Sequence, residues 1–386
     1  MEKVYDIHIH LSFDIPMQEM VKVFEEEFKE TGTEKYCFLC LPHHANGKNK
    51  LFLSATQNLK GLFLKNAFAP NGYAFAGLVH PQEDMPSEER AEIYYKQAVE
   101  YHNAGYDGIK MLEGHPTFSR VLGRTLDDKV YDKFYKYLEE NQIPIILHVA
   151  DPEGSWDMDT ASEVAKALGR TYCDGYPSKR QLTDEVFGVL KKYPNLKLGL
   201  AHFGFMSYDI NEAQKFISYK NTFFDLTPGG EQLIKMAETW DEWLKFFTQH
   251  QDEIVYGSDF YAFPKQDEKE WRTAFHRRPD FVRQLLETDK EHLYIDQKFR
   301  GVNIDKSLRD KIYRENFVKL LGEPRKINKE YFHSEAKRLL KVLPNGDKYY
   351  IKDRIIDITI PENLEFVTRR YISDINFMCE NFDKKN

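Results

Sequence analysis

Cysteine is scarce in this chain, with four residues in 386: Cys37, Cys40, Cys173 and Cys379. Their spacing offers no paired zinc motif. Cys37 and Cys40 do form a C-x-x-C, but it lies inside Tyr36–Leu41, an apolar stretch that reads as a buried strand. Neither a redox nor a metal role is expected of them. Long apolar runs are also missing, and none approaches the ~20 residues that span a bilayer. Positive charge is in deficit, with a formal net charge of −8. That balance argues against a general role on nucleic acid or on a membrane surface. There is no internal repeat and no low-complexity segment. The first strand begins at Val4, so no secretory leader is expected. These exclusions make a cytoplasmic protein the expectation, with no nucleic-acid or membrane partner and homo-oligomerisation possible.

What the chain does have is a set of strand-like segments that end in chemistry. Val4–His10 closes on His8 and His10, Gly108–Lys110 on Lys110, and Pro144–His148 on His148. Lys197–His202 closes on His202 and Ile254–Asp259 on Asp259. In a parallel α/β protein, the C-terminal end of a buried strand faces the active-site mouth. His8 and His10 are two apart, so on a strand both rings project from one face and can grip one ion.

Strand-like and helix-like segments alternate along most of the chain. Strands are expected at 4–10, 36–41, 73–79, 107–112, 143–149, 196–202, 222–226 and 254–259, mostly apolar, as in a sheet covered on both faces. Helical patterns are expected over Met17–Thr31, Ser87–Asn103, Leu126–Asn141 and Leu182–Tyr193. Ser87-Glu88-Glu89-Arg90 reads as a cap, and Glu185 follows the start of the last helix by three residues. Eight strands with intervening helices specify an α/β protein with a (β/α)8 TIM barrel. The expected division is a catalytic barrel over 1–322 and a small appended C-terminal subdomain over 323–386. In that tail, helix-like pieces at Glu330–Val342 and about 362–382 flank a turn at Asn345-Gly346-Asp347. Residues 42–72, with His43 and His44, read as a long loop at the catalytic face, a lid or pocket wall.

Three imidazoles and one carboxylate make a common catalytic site for a divalent ion. Here His8, His10 and His148 supply nitrogen and Asp259 supplies oxygen. Such an ion lowers the pKa of its water from ~15.7 to about 7. Asp259 is then the candidate general base, and His202 is placed to polarise a carbonyl or shuttle a proton. The expected cofactor is one divalent metal ion, zinc first, with manganese or iron also suited to the donor set.

The set Asp6-Ile7-His8-Ile9-His10, Ile146-Leu147-His148, Leu200-Ala201-His202 and Tyr256-Gly257-Ser258-Asp259 resembles the amidohydrolase superfamily over roughly residues 3–322. Within it the chain is similar to the amidohydrolase-2 branch, which includes aminocarboxymuconate semialdehyde decarboxylase and related lactonases and hydratases. The resemblance implies metal ligands at His8, His10, His148 and Asp259, with His202 catalytic. It implies for Lys110 either carboxylation and a second metal or, as in mononuclear members, contact with a substrate carboxylate; the second is the expectation. His80, His115, Asp151 and Trp156 stand just past strand ends and are expected to line the substrate pocket. Arg120 and Arg124 are further candidates to pair with a substrate anion. The expected activity is metal-dependent hydrolysis of a C–O or C–N bond in a small carboxylated compound. Decarboxylation of a small unsaturated or aromatic acid is the alternative, and a silent barrel scaffold is the third reading.

Overall fold

Short apolar strands buried on both faces need helices on one side and each other's side chains on the other, which a closed barrel provides. The computed structural model describes residues 1–12, 15–41, 43–45, 50–52, 54–81, 85–167, 169–229, 232–262, 278–294, 297–342 and 361–385. The barrel strands are β1 (Val4–His10), β2 (Thr33–Leu39), β3 (Gly72–Gly77) and β4 (Gly108–Gly114), then β5 (Ile145–Val149), β6 (Leu198–Leu200) and β7 (Thr222–Asp225). An eighth, β8, runs in two pieces, Ile254–Val255 and Phe260–Tyr261. Neighbours pair in parallel in chain order. The first piece of β8 pairs with β7 and the second with β1. Between the pieces, Ile7 N–H donates to Tyr256 O at 3.2 Å and Asp259 N–H to His8 O at 2.9 Å, so the seam is bonded throughout. The (β/α)8 expectation holds.

β8 departs from the unbroken strand expected at 254–259 because Asp259 takes a left-handed backbone, φ 55°. Aspartate is one of the few non-glycine residues that visits this region. Gly257 permits a close approach beside it: a Cβ there would lie 2.5 Å from Thr227 Oγ1 and 3.0 Å from His8 Cβ.

Helix α1 spans Met17–Thr31, as expected, and buries Met20, Phe24 and Phe28. The segment expected as a long loop instead forms a short hairpin, His43–Ala45 with Lys50–Phe52, followed by helix α2 (Ser54–Ala67). Its apolar stretch is one face of α2, where Leu59, Leu62 and Phe63 are buried. Helix α3 (Ser87–Ala104) has Pro86 at its N-cap and no side-chain cap, so the expected Ser87 cap is absent. The helix expected from Leu126 starts later, as α4 (Asp132–Glu140), after a 3-10 turn at Lys129–Tyr131. Helix α5 (Lys179–Lys192) starts three residues early because Ser178 Oγ accepts from Gln181 N, so the capping residues are Ser178 and Gln181.

Beyond the barrel, helices α6 (Lys329–Val342) and α7 (Pro361–Asn381) pack onto α1, α2 and α3. Phe332, Leu339, Ile375 and Phe382 join the same buried cluster as Leu59 and Leu62. Asp374 of α7 accepts from Met17 N at 2.8 Å, capping α1 from across the fold, and pairs with Lys60 of α2 at 2.6 Å. The expected turn at 345–347 lies outside the described residues. All four cysteines are free, and burial pushes the Cys37 and Cys40 thiols up. No helix among the described residues is long and apolar enough to cross a membrane.

Candidate metal centre

β1 puts Asp6, His8 and His10 on one face of the strand by simple alternation. Asp6 accepts from His8 N at 2.9 Å and from Ser258 N at 3.1 Å, which ties β1 to the break in β8. Burial pushes its carboxyl up to about 7, against hydrogen bonds from Ser258 and His8. His10 Nδ1 faces the Leu39 carbonyl at 3.0 Å. A carbonyl only accepts, so the proton sits on Nδ1 and Nε2 carries a lone pair. His8 Nδ1 donates to Asp225 Oδ2 at 2.7 Å, which leaves its Nε2 bare as well. The two Nε2 atoms face each other at 2.9 Å, and Asp259 Oδ1 lies 3.3 Å from that of His10 and 3.7 Å from that of His8.

Two neutral imidazoles that present lone pairs to each other at this distance repel unless a cation sits between them. Protonation does not relieve them. Burial, and then the charge of Lys110, hold His8 well below the ordinary imidazole value. Burial and the neighbouring His8 do the same for His10.

His202 follows β6 in a run of left-handed backbone, with φ of 54°, 52°, 61° and 51° at His202, Phe203, Gly204 and Phe205. For the bulky residues this is strained, on the order of 1 kcal/mol or more each, and such strain concentrates at functional sites. His202 N donates to Asp225 Oδ1 at 2.8 Å, and its Nδ1 faces the Pro228 carbonyl at 3.1 Å. Its Nε2 is therefore also a free lone pair. Ligand atoms of His8, His202 and Asp259 fall within 4.8 Å of one another.

His148 lies beside this group, its ring 4.8 Å from that of His202. Its ligand atom falls instead within 4.8 Å of those of His115 and Asp151, so the structure brings these three together. Burial lowers His148 to about 4, with Asp151 opposing. Burial pushes the Asp151 carboxyl up, but His115, His148 and Arg170 outweigh it and hold it well below the carboxylate range.

Lys110, on β4, is fully buried, and its Nζ has no hydrogen-bond partner among the described residues. Burial lowers it to about 8, with Asp225 and Glu113 opposing. His80 receives the Tyr94 hydroxyl at Nδ1 (3.0 Å) and places Nε2 3.0 Å from Glu113 Oε1. Trp156 donates to Pro177 O at 3.0 Å and lies 5.1 Å from the Tyr172 ring. Arg124 donates to Tyr94 Oη, and Arg120 stacks 4.3 Å above Tyr176.

Three residues that touch the centre were not singled out in the sequence. Asp225 ends β7 and serves both His8 and His202; the signal was there, a carboxylate closing an apolar strand. Arg278 closes on Asp259 Oδ2 and also donates to the Asp259 carbonyl at 3.1 Å. It leaves Oδ1 free to face the imidazoles. Tyr172 donates to Asp151 Oδ2. Neither Arg278 nor Tyr172 sits in a motif.

A closed parallel barrel with imidazoles and a carboxylate gathered at its C-terminal mouth defines the class of TIM-barrel proteins built around a polar centre. The chain belongs to the Amidohydro_2 amidohydrolase family, whose model matches residues 66–322. His148, His202 and Asp259 lie within that stretch, and His8 and His10 precede it. Among solved structures, an uncharacterised TIM-barrel protein from Bordetella bronchiseptica is similar over 83% of this chain and 98% of its own, with 11% identity and a TM-score of 0.51. A 4-oxalomesaconate hydratase from Rhodopseudomonas palustris covers 90% of this chain and 100% of its own at 15% identity and TM-score 0.47. A 2,6-dihydroxybenzoate decarboxylase from Rhizobium covers 83% and 99% at 13% identity and TM-score 0.46. At 11% identity the likeness to the Bordetella bronchiseptica protein shows the fold alone. No curated protein matches the chain significantly.

Proposed function

We propose that this protein is a metal-dependent hydrolase that cleaves a C–O or C–N bond in a small carboxylated compound. The observation that carries the reading is the facing pair of Nε2 lone pairs on His8 and His10, closed by Asp259 Oδ1. This donor set fits one divalent ion of zinc type, and manganese or iron also suit it. His8, His10 and Asp259 would hold the ion, with His148 offering Nδ1 as a further nitrogen. When bound, such an ion acts as a Lewis acid and makes water a nucleophile near neutral pH.

The chain's own groups carry the remaining work. Asp259 Oδ1 takes the proton released as water attacks, while Arg278 keeps the carboxylate turned toward the imidazoles. His202, with a lone pair on Nε2 and a backbone fixed by Asp225, accepts the proton that Asp259 has taken and passes it to the leaving group. Lys110, a buried ammonium with no hydrogen-bond partner among the described residues, receives the substrate carboxylate. A buried charge left unpaired is costly, and an anionic ligand removes that cost.

Turnover in ¹⁸O-labelled water tests the reaction, after screening lactones, amides and unsaturated acids. Hydrolysis places the label in the new carboxylate. Carbon dioxide released without label would establish decarboxylation instead.

A further inference from the structure

His115, His148 and Asp151 form a second group of buried ligand-type residues, and on distance alone it could hold another ion. Its hydrogen bonds decide otherwise. Thr117 N–H donates to His115 Nδ1 at 3.2 Å, so the His115 proton sits on Nε2, which points at Asp151 Oδ2 from 3.3 Å. His148 Nε2 faces the Ala150 carbonyl at 3.0 Å and so carries its proton there too, with Asp151 Oδ1 at 3.6 Å. The Tyr172 hydroxyl donates to Asp151 Oδ2. Tyr172 and His115 therefore turn hydrogens toward the carboxylate, the His148 hydrogen goes to Ala150 O, and none of the three turns a lone pair toward it. Among these described residues a cation therefore finds no nitrogen lone pair facing Asp151.

The group is also rigid. Tyr172 N–H donates to Ser155 O at 2.7 Å, and the ring lies 5.1 Å from both Trp156 and Tyr176. Ala150 adopts φ 59°, a left-handed backbone between His148 and Asp151. With Nε2 donating to Ala150 O, the lone pair of His148 is on Nδ1. Asp151 stands 3.6 Å behind Nε2 of this ring, a looser counterpart of Asp225 at 2.7 Å behind Nδ1 of His8. A carboxylate behind a ligand imidazole fixes its tautomer and raises its basicity.

We infer that Asp151, held by Tyr172 and His115, is a positioning residue that acts beside the Ala150 carbonyl to hold His148 with Nδ1 presented for metal ligation. The inference rests on the metal reading above and deepens it. It predicts one ion per chain, with Asp151 acting on that ion only through His148.

Titration with Co²⁺ alone, read by affinity and by the visible spectrum of the bound ion, tests it. The wild type should bind one Co²⁺ per chain. Asp151→Asn should lower affinity about 10- to 100-fold and shift the spectrum. Tyr172→Phe, which removes a donor but no buried charge, should shift both in the same direction, and it carries the test if Asp151→Asn fails to fold. On a His148→Ala background, Asp151→Asn should cost little more, since its route of action is gone. Wild-type affinity and spectrum in both single variants would overturn the inference while leaving the metal reading intact. So would two ions per chain with one lost in Asp151→Asn. Absence of Co²⁺ binding in the wild type would instead overturn the metal reading itself.

Discussion

Lys110 shows how far this centre departs from what stability alone would select. Its ammonium is buried, unpartnered among the described residues and lowered to about 8 from the ordinary 10.5. Between those values the folded chain binds fewer protons than the unfolded one, so this group makes stability rise with pH across that window. Below about pH 8 the penalty is constant and on the order of 3 kcal/mol. Lys110→Met should therefore stabilise the metal-free protein at pH 7 by roughly 1–3 kcal/mol and flatten the rise from pH 8 upward. Urea denaturation at several pH values checks this, and an unchanged or lower midpoint would count against a costly buried charge. Asp225 makes a second test at this scale. Asp225→Asn leaves an amide beside His8 Nδ1 and His202 N, so metal affinity should fall about 10- to 100-fold with the barrel still folded. An unaltered affinity would mean that Asp225 does not set the His8 tautomer.

At the scale of elements, the break in β8 and the docking of α7 matter most. Gly257 sits where a Cβ would strike Thr227 Oγ1 and His8 Cβ. Gly257→Ala should cost about 1–3 kcal/mol by overpacking and displace His8 as well. Denaturation and metal titration together should show both losses, and a variant with neither would contradict the packing described here. The paired histidines were legible in the sequence because a strand's period of two is nearly rigid and puts Asp6, His8 and His10 on one face. His148 and His202 were legible because a polar residue closing an apolar strand faces the barrel mouth, and Asp225 could have been found by the same rule. Arg278 and Tyr172 could not. Each lies far from any strand end in sequence, and its place is set by how the chain folds back over the barrel mouth. The break in β8 was likewise hidden, since Tyr256-Gly257-Ser258-Asp259 reads as strand until Asp259 turns left-handed. The apolar part of 42–72 was mistaken for loop because a helix following a hairpin this short leaves little room for its own start signals.

For the molecule as a whole, the C-terminal helices are bound into the barrel's outer layer. Asp374 caps α1 and neutralises Lys60, both far inside the fold. Asp374→Ala would strand a buried ammonium and should cost about 3–5 kcal/mol, whereas Lys60→Met with Asp374→Leu should cost clearly less, the ~1 kcal/mol of the lost α1 cap. Equal destabilisation of the single and double variants would contradict the pairing. Removing the chain from Glu323 onward takes away Asp374 together with Phe332 and Phe382, so thermal stability should fall before any specific loss at the centre. The claim on which the whole account turns is that two facing lone pairs at the barrel mouth require a cation. Elemental analysis of the purified protein tests it most directly, with His8→Ala alongside. The account predicts about one zinc, manganese or iron ion per wild-type chain, and a folded His8→Ala protein that has lost most of it. A wild-type protein without stoichiometric metal, or a His8→Ala protein that keeps its full share, would contradict it.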